Sequence, residues 1–208
     1  MRLYVGTTPM TSPRKVEIYL SEKNIELEFV RLDMRGGAGR SPEYLARNPA
    51  GTVPLLELDD GAVLPESTAI IEYLEELHPS PPMLGDSPEA RARVRAVDRI
   101  ASDFLYRNAR VLVNTHPFLP SVRPGFRQYP EVATAYEEQR DDYLRILTSH
   151  IGDHEFLCAD RVTVADCTLF SGVQIARLLF DYEFPVGFEA LSLWYERFSQ
   201  RPSARLPT

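Results

Sequence analysis

The 208-residue chain has only two cysteines, Cys158 and Cys167. Two thiols cannot build a disulfide framework or a four-ligand zinc site, and these form no C-x-x-C pair. No apolar run approaches the roughly 20 residues that cross a bilayer, so no membrane span is expected. The opening MRLYVGTTPM has neither the apolar core of a secretory signal nor an Arg/Ser-rich transit character, which points to the cytoplasm. Positive charge is not in excess either. The formal net charge of −7 is wrong for a protein whose main work is gripping nucleic-acid phosphates. There is no G-x-S-x-G, P-loop or G-x-G-x-x-G, and Gly36-Gly37-Ala38-Gly39 neither follows a strand tightly nor opens a long helix. The composition that remains, 44% apolar and 25% charged, is that of a globular protein. Its length suits two compact domains.

Residues 1–79 alternate strand and helix signals. Leu3-Tyr4-Val5 is a strand closed by Gly6, and apolar residues at Val16, Ile18, Tyr19, Leu20 and Ile25 fall in a Glu/Lys-rich helical stretch. Leu27 to Leu32 alternates like a half-buried strand. Pro54 to Leu58 is another strand, joined through Asp60-Gly61, a strong hairpin turn, to Val63-Leu64. Ala69, Ile70, Tyr73, Leu74 and Leu77 then recur at helical spacing. The order predicted is strand, helix, strand, short helix, hairpin, helix: a small α/β sandwich.

The segment PSPPMLGDSP, Pro79 to Pro88, cannot sustain a helix and marks a linker over residues 80–87. Strand signals stop after it, and residues 88–208 read as an all-helical domain. Ser87-Pro88-Glu89 starts a helix, whose apolar stripe runs Val94, Val97, Ala101, Leu105, Leu112. His116 to Pro130 carries four prolines and reads as a loop. Val132 to Ile151 marks a second helix. Thr163-Val164-Ala165-Asp166 is a capping-box signature for a third, and Leu191 to Phe198 a fourth.

Three short segments carry chemistry. Asn48-Pro49-Ala50-Gly51-Thr52-Val53-Pro54 leads into a strand, and proline is tolerated at a strand's first residue because its missing N–H need not join the ladder. Spacing alone favours a trans bond before Pro54, the commoner isomer. A cis bond would turn the Val53 backbone outward and offer its N–H and C=O to an extended peptide. Leu64-Pro65-Glu66-Ser67-Thr68 stands at the mouth of a helix. Ser67 reads as an N-cap, worth about 1 kcal/mol, with Ile70 where a capping box needs an acid. The same free N–H groups also suit a carboxylate. Glu66 beside them suits an ammonium group, so the pair fits the zwitterionic end of an amino acid. Thr7 to Val16 joins the first strand and helix. Ser12 before Pro13 is a sufficient N-cap, and a hydroxyl-rich helix start can also stabilise a thiolate. His150 and His154 flank Gly152 at a fraying helix end, so no metal site is expected. Cys158 and Cys167 read as small buried apolar residues.

Together these segments resemble the glutathione transferase family over nearly the whole chain, nearest its bacterial, theta/beta/nu-like members. SPRKVEIYLSEKNIELEFVRLD is similar to the family's first helix and second strand. RNPAGTVPLLELDDGAVLPESTAIIEYLEELHP resembles the stretch with its cis proline and Glu-Ser pair. FLCADRVTVADCTL is similar to the capping box and buried aspartate, and LWYERFSQRPS to the closing helix. The resemblance implies a thioredoxin-like N-terminal domain, an all-α C-terminal bundle, a homodimer, and an active cleft between the domains. It implies that Val53 pairs with the cysteinyl part of glutathione and that Glu66 and Ser67 hold its γ-glutamyl amine and carboxylate. Thr52 stands where a longer polar residue often reaches the glycyl carboxylate, with Arg40 as a substitute. The catalytic hydroxyl, four residues before Arg14 in serine-type members, falls on Met10, which has no donor. Ser12 is then the first choice and Thr11 the second. With no cysteine in this loop, mixed-disulfide chemistry of the omega and beta types is not expected. The electrophile would meet apolar surface from Met10, Tyr106, Arg110 and Phe118. The implied function is conjugation of glutathione thiolate to a small hydrophobic electrophile. Glutathione-dependent disulfide reduction and non-catalytic ligand binding on the same scaffold are the alternatives.

Overall fold

Strand and helix alternate through the first part of the chain as the apolar pattern predicts. The computed structural model describes residues 1–123 and 125–206. In it β1 (Arg2–Gly6), α1 (Thr11–Lys23) and β2 (Glu28–Leu32) precede a 3-10 turn (Ala38–Arg40) and α2 (Pro42–Arg47). The hairpin strands β3 (Leu55–Glu57) and β4 (Val63–Pro65) and helix α3 (Ser67–Leu77) follow. The sheet order is β2-β1-β3-β4; β1 and β2 are parallel, and the other two pairings are antiparallel. Strands β1, β2 and β4 therefore all run one way and β3 the other. Gly61 turns the hairpin at φ +85°, the backbone an Asp-Gly turn supplies.

Side chains alternate across β1. Leu3 and Val5 are fully buried, as are Val16, Tyr19, Ile70 and Leu74 on α1 and α3. Tyr4 faces the other way and clusters with Tyr44 of α2, Val53 and Leu55. A buried ion pair also ties α1 to α3, Lys23 Nζ lying 2.8 Å from Glu75 Oε2. The Tyr19 hydroxyl (2.6 Å) and the Leu84 N–H (3.0 Å) donate to the same carboxylate. This is the thioredoxin-like arrangement that the resemblance implies.

Residues 85–200 form a separate, all-helical unit. It contains α4 (Pro88–Thr115), α5 (Phe118–Val122), α6 (Pro130–Ile151), α7 (Val164–Phe180) and α8 (Glu189–Ser199). Ser87 caps α4, its Oγ accepting the Ala90 N–H at 3.1 Å. The stretch from Val162 to Val173 is continuously buried, so α7 is a central helix rather than an amphipathic one. Its capping residue Asp166 is fully buried and accepts from the Thr163 N–H, the Leu157 N–H and Trp194 Nε1, each at 2.9 Å. Burial pushes its carboxyl up in pKa, and these hydrogen bonds oppose that shift. No helix among the described residues is long and apolar enough to cross a membrane.

Three sequence expectations change. The proline-rich stretch is not all loop, because Phe118–Val122 forms the short helix α5; Pro124 within it, like Pro207 and Thr208, lies outside the described residues. The buried stripe of α4 runs Val94, Val97, Ala101 and then Phe104, Asn108 and Val111, while Leu105 is half-buried. Leu105 lies where a Cβ on Gly172 would stand, its Cδ2 only 2.2 Å from that point. The chain from Arg201 groups with the first unit rather than the helical one. The charged face of α1 captures it: Arg14 donates to the Ser203 and Arg205 carbonyls at 2.6 and 2.9 Å. Arg201 makes a two-pronged pair with Glu22, both contacts at 2.7 Å.

Helix α2 is fastened to the sheet by a polar cluster. Arg47 Nη2 lies 2.6 Å from Glu57 Oε2, the Tyr4 hydroxyl donates to the same oxygen at 2.6 Å, and Arg2 holds Oε1 at 2.8 Å. The Tyr4 hydrogen bond first, and Arg47 second, hold the Glu57 carboxyl at about 2, against an ordinary 4.5. A carboxylate with a depressed pKa stabilises the fold above its ordinary value and loses that contribution as pH falls through the folded one. The stability difference between wild type and Glu57→Gln, from urea unfolding, should therefore shrink as pH falls from 4.5 toward 2. A difference that stays flat over that window would contradict this reading of Glu57.

Candidate active site

Two helices of the first unit begin without a side-chain cap, and both begin at one cavity. Helix α1 follows Met10, which is extended (φ −138°, ψ 143°) and offers no capping oxygen. Helix α3 follows Glu66, again with no side-chain cap and no acid in its first turn. Between them, α2 is capped normally, Ser41 Oγ accepting the Tyr44 N–H at 3.2 Å. The first N–H groups of a helix have no partner within it, and the helix dipole makes that end positive. Met10 and Ser12 at the start of α1, and Glu66 and Ser67 at the start of α3, line a cavity of about 490 Å³. Two such ends on one cavity favour an anion there.

The reading of both serines as N-caps is corrected. A cap residue keeps an extended backbone outside the helix, whereas Ser12 is the second residue of α1 and Ser67 the first of α3. Pro13 falls inside the first turn of α1, where a missing N–H removes no helical bond. Ser12 is exposed and Ser67 half-buried. Thr11 also begins α1 but does not line the cavity. Glu66 has φ +72° and ψ 120°, a backbone that side-chain-bearing residues avoid. Holding it there costs about 1–3 kcal/mol.

A third wall is the loop before β3, contributing Thr52, Val53 and Pro54. The Val53–Pro54 bond is cis, which corrects the trans reading from spacing and agrees with the resemblance. Pairing of β3 begins at Leu55 opposite Tyr4, so Val53 lies just outside the ladder. The Thr52 carbonyl accepts from the Tyr44 hydroxyl at 2.7 Å and from Asn48 Nδ2 at 2.8 Å. Asn48 is buried, and its own carbonyl takes the Gly51 N–H at 2.9 Å.

Met34 and Arg40, from the segment after β2, form the fourth wall. Two glycines bring that segment against the loop. A Cβ on Gly39 would lie 2.5 Å from the Gly51 carbonyl oxygen, and one on Gly51 2.4 Å from that of Gly39. Gly51 also needs its φ of +64°. This approach sets the Arg40 side chain beside Gly51 and Thr52 in the cavity wall. The arrangement can hold an anion at Ser67 and the α3 amides, a cation at Glu66, and a second anion at Arg40. Val53 lines the same space, and the whole fits an extended, doubly acidic peptide with one ammonium group.

The comparisons with known proteins decide the family. The chain matches the profile described as glutathione S-transferase, N-terminal domain, over residues 10–82, and that of the glutathione S-transferase C-terminal domain over residues 110–202. Glutathione S-transferase 2 of Saccharomyces cerevisiae is 33% identical over 198 residues, 93% of this chain and 83% of that protein. The chain belongs to the glutathione S-transferase family. A solved structure of a glutathione S-transferase domain-containing protein from Marinobacter aquaeolei superposes with a TM-score of 0.83 at 31% identity. That match covers 99% of this chain and all of the other. A maleylacetoacetate isomerase of Pseudomonas aeruginosa is 43% identical over 106 residues, 49% of this chain and 50% of that enzyme. This transferase accordingly has glutathione as its co-substrate.

In this glutathione transferase Ser12, Met10, Arg40, Thr52, Val53, Glu66 and Ser67 come together around the cavity. Tyr106 and Arg110, one turn apart on α4, pair with each other, the guanidinium 4.7 Å from the ring centre. Phe118 packs edge-on against Phe180 at 5.5 Å. Sequence reasoning missed Met34 and the holding role of Tyr44, for which no local pattern exists. It quoted Asn48 and Gly39 without seeing their use, although the Asn-Pro-Ala-Gly turn and the Gly-Gly-Ala-Gly run were visible signals.

The strain at Glu66 is testable. Glycine adopts a positive φ freely, at an entropic cost smaller than the strain. Glu66→Gly should therefore be more stable than Glu66→Ala by about 1 kcal/mol in urea unfolding. Both variants lack the carboxylate, so only the backbone separates them. An alanine variant equal to or above the glycine one would refute the strain.

Proposed function

We propose that this transferase adds the thiolate of glutathione to a small hydrophobic electrophile, with Ser12 as the activating hydroxyl. The observation that carries the reading is that Ser12 reaches the cavity from the uncapped start of α1 while Thr11 does not. In this reading Ser67 and the first amides of α3 hold the γ-glutamyl carboxylate, and Glu66 holds the ammonium group. The Val53 backbone pairs with the cysteinyl residue. Arg40, with Thr52, takes the glycyl carboxylate. The sulfur then lies toward Ser12, whose hydroxyl donates to the thiolate, with the α1 amides adding their positive end. Met10 supplies apolar wall and no proton. Lowering the bound thiol by ~2 pKa units corresponds to roughly 2.7 kcal/mol, within reach of one hydroxyl and a helix terminus.

Tyr106, Arg110 and Phe118 are assigned to the electrophile. Tyr106 is half exposed and meets Tyr136 edge-on, ring centres 6.0 Å apart. A homodimer in the cytoplasm completes the reading. Both cysteines are free thiols, as a reducing compartment allows.

The identity with maleylacetoacetate isomerase favours a second reading on the same site. There the thiolate adds to an electron-poor cis double bond, the bond rotates, and the thiolate leaves again. Stoichiometry separates the two, since conjugation consumes one glutathione per turnover and isomerisation none.

Calorimetry and kinetics test the assignment together. Ser12→Ala should lower the rate of thiol addition by about 10²-fold. It should also move the rate's dependence on thiolate to higher pH and leave glutathione affinity nearly unchanged. Thr11→Ala should behave like wild type. Full activity in Ser12→Ala would pass the role to the backbone amides, and absence of glutathione binding in the wild type would end the proposal.

A further inference from the structure

We propose that Arg47 is a positioning residue for the tripeptide site, setting the Val53 peptide group through α2 without touching the cavity. The inference rests on the reading of the cavity as a glutathione site. Helix α2 has six residues, too few to persist on its own propensity. Its place must come from what it is fastened to.

Two donors from this element converge on one acceptor. The Tyr44 hydroxyl and Asn48 Nδ2 both bond the Thr52 carbonyl, at 2.7 and 2.8 Å. That carbonyl belongs to the peptide group whose N–H is Val53's. A shift of α2 therefore moves the group that a bound peptide would pair with. Asn48 directly follows Arg47 and closes the helix, its N–H bonding the Tyr44 carbonyl at 2.8 Å.

Arg47 is the side chain by which α2 grips the sheet. Its Nη1 donates to the Tyr4 hydroxyl at 2.5 Å, its Nη2 pairs with Glu57, and the guanidinium lies 4.9 Å from the Tyr4 ring centre. Tyr4 and Glu57 sit on β1 and β3, whose register is fixed by Arg2↔Glu57 and Tyr4↔Leu55. The path is thus sheet, Arg47, α2, Thr52, Val53. Each step is a hydrogen bond or a covalent link. A planar fork reaching two acceptors is a guanidinium property that lysine reproduces only in part. The effect belongs in binding rather than chemistry, because the path ends on the backbone that holds the tripeptide and leaves the Ser12 hydroxyl and the α1 amides, which act on the sulfur, unchanged.

The test combines amide hydrogen exchange without ligand, glutathione calorimetry and steady-state kinetics on Arg47→Met, Arg47→Lys and Glu57→Gln. Arg47→Met should exchange the Asn48 and Gly51 amides about tenfold faster and bind glutathione five- to tenfold more weakly. Its kcat at saturating glutathione should stay within twofold of wild type. Arg47→Lys should recover part of both losses, and Glu57→Gln should show the same pattern more weakly. Unchanged exchange in Arg47→Met overturns the fastening. Faster exchange with unchanged affinity overturns the coupling to the site, and a loss confined to kcat overturns the positioning role. Failure of the wild type to bind glutathione would remove the functional reading itself, a result distinct from the ligand-free exchange difference.

Discussion

Two positive helix ends opening on one cavity demand a negative partner, and the sheet topology makes that meeting unavoidable. Strands β1, β2 and β4 run in one direction, so the segments that follow them emerge at the same end of the sheet. Strand β3 runs against them, so the segment that precedes it arrives there too. These four segments carry Met10 and Ser12, Arg40, Thr52 and Val53, and Glu66 and Ser67. The site is thus a property of strand direction before it is a property of any side chain. The side chains decide what the cavity accepts: a carboxylate where α3 starts, an ammonium group at Glu66, and a second acid at Arg40.

Holding those groups in place draws on backbone geometry in the cavity wall and on contacts just behind it. Glycines at 39 and 51 allow two backbones closer than any Cβ would. Asn48 and Tyr44 share one carbonyl, and Glu66 is kept in a backbone conformation that is unfavourable by itself. Strain of this kind persists only where surrounding contacts determine the chain path, and here Pro65 is paired in β4 immediately before it while α3 begins immediately after. The same logic explains the buried Lys23–Glu75 pair. It fastens the far ends of α1 and α3, while Lys15 Nζ, donating to Thr68 Oγ1 at 3.2 Å, links the two helices near their starts.

Much of the fold was legible because it depends on local periodicity. The Asp60-Gly61 turn, the apolar spacing from Ala69 to Leu77 and the Thr163–Asp166 cap each specify their element without help from elsewhere. What escaped depends on contacts distant in sequence or on a choice between near-equal local states. Serine favours helix starts, but whether Ser12 and Ser67 stand before or inside the helix is set by where the extended residue falls, and that residue is Met10 or Glu66. The isomer before Pro54 has no local determinant. The buried stripe of α4 passes through Phe104 and Asn108, and Leu105 fits against Gly172 of α7, a contact that spacing within α4 does not specify. The return of the chain end to Arg14 and Glu22 is a tertiary choice of the same kind.

The most direct test of the shared anion site is an amide proton–nitrogen correlation titration with glutathione. The account predicts that the amides of Ser12 on α1 and of Ser67 and Thr68 on α3 move together, following a single Kd, with Val53 moving alongside them. Binding that shifts one helix start and leaves the other unmoved would contradict it, as would two sets of shifts with different affinities.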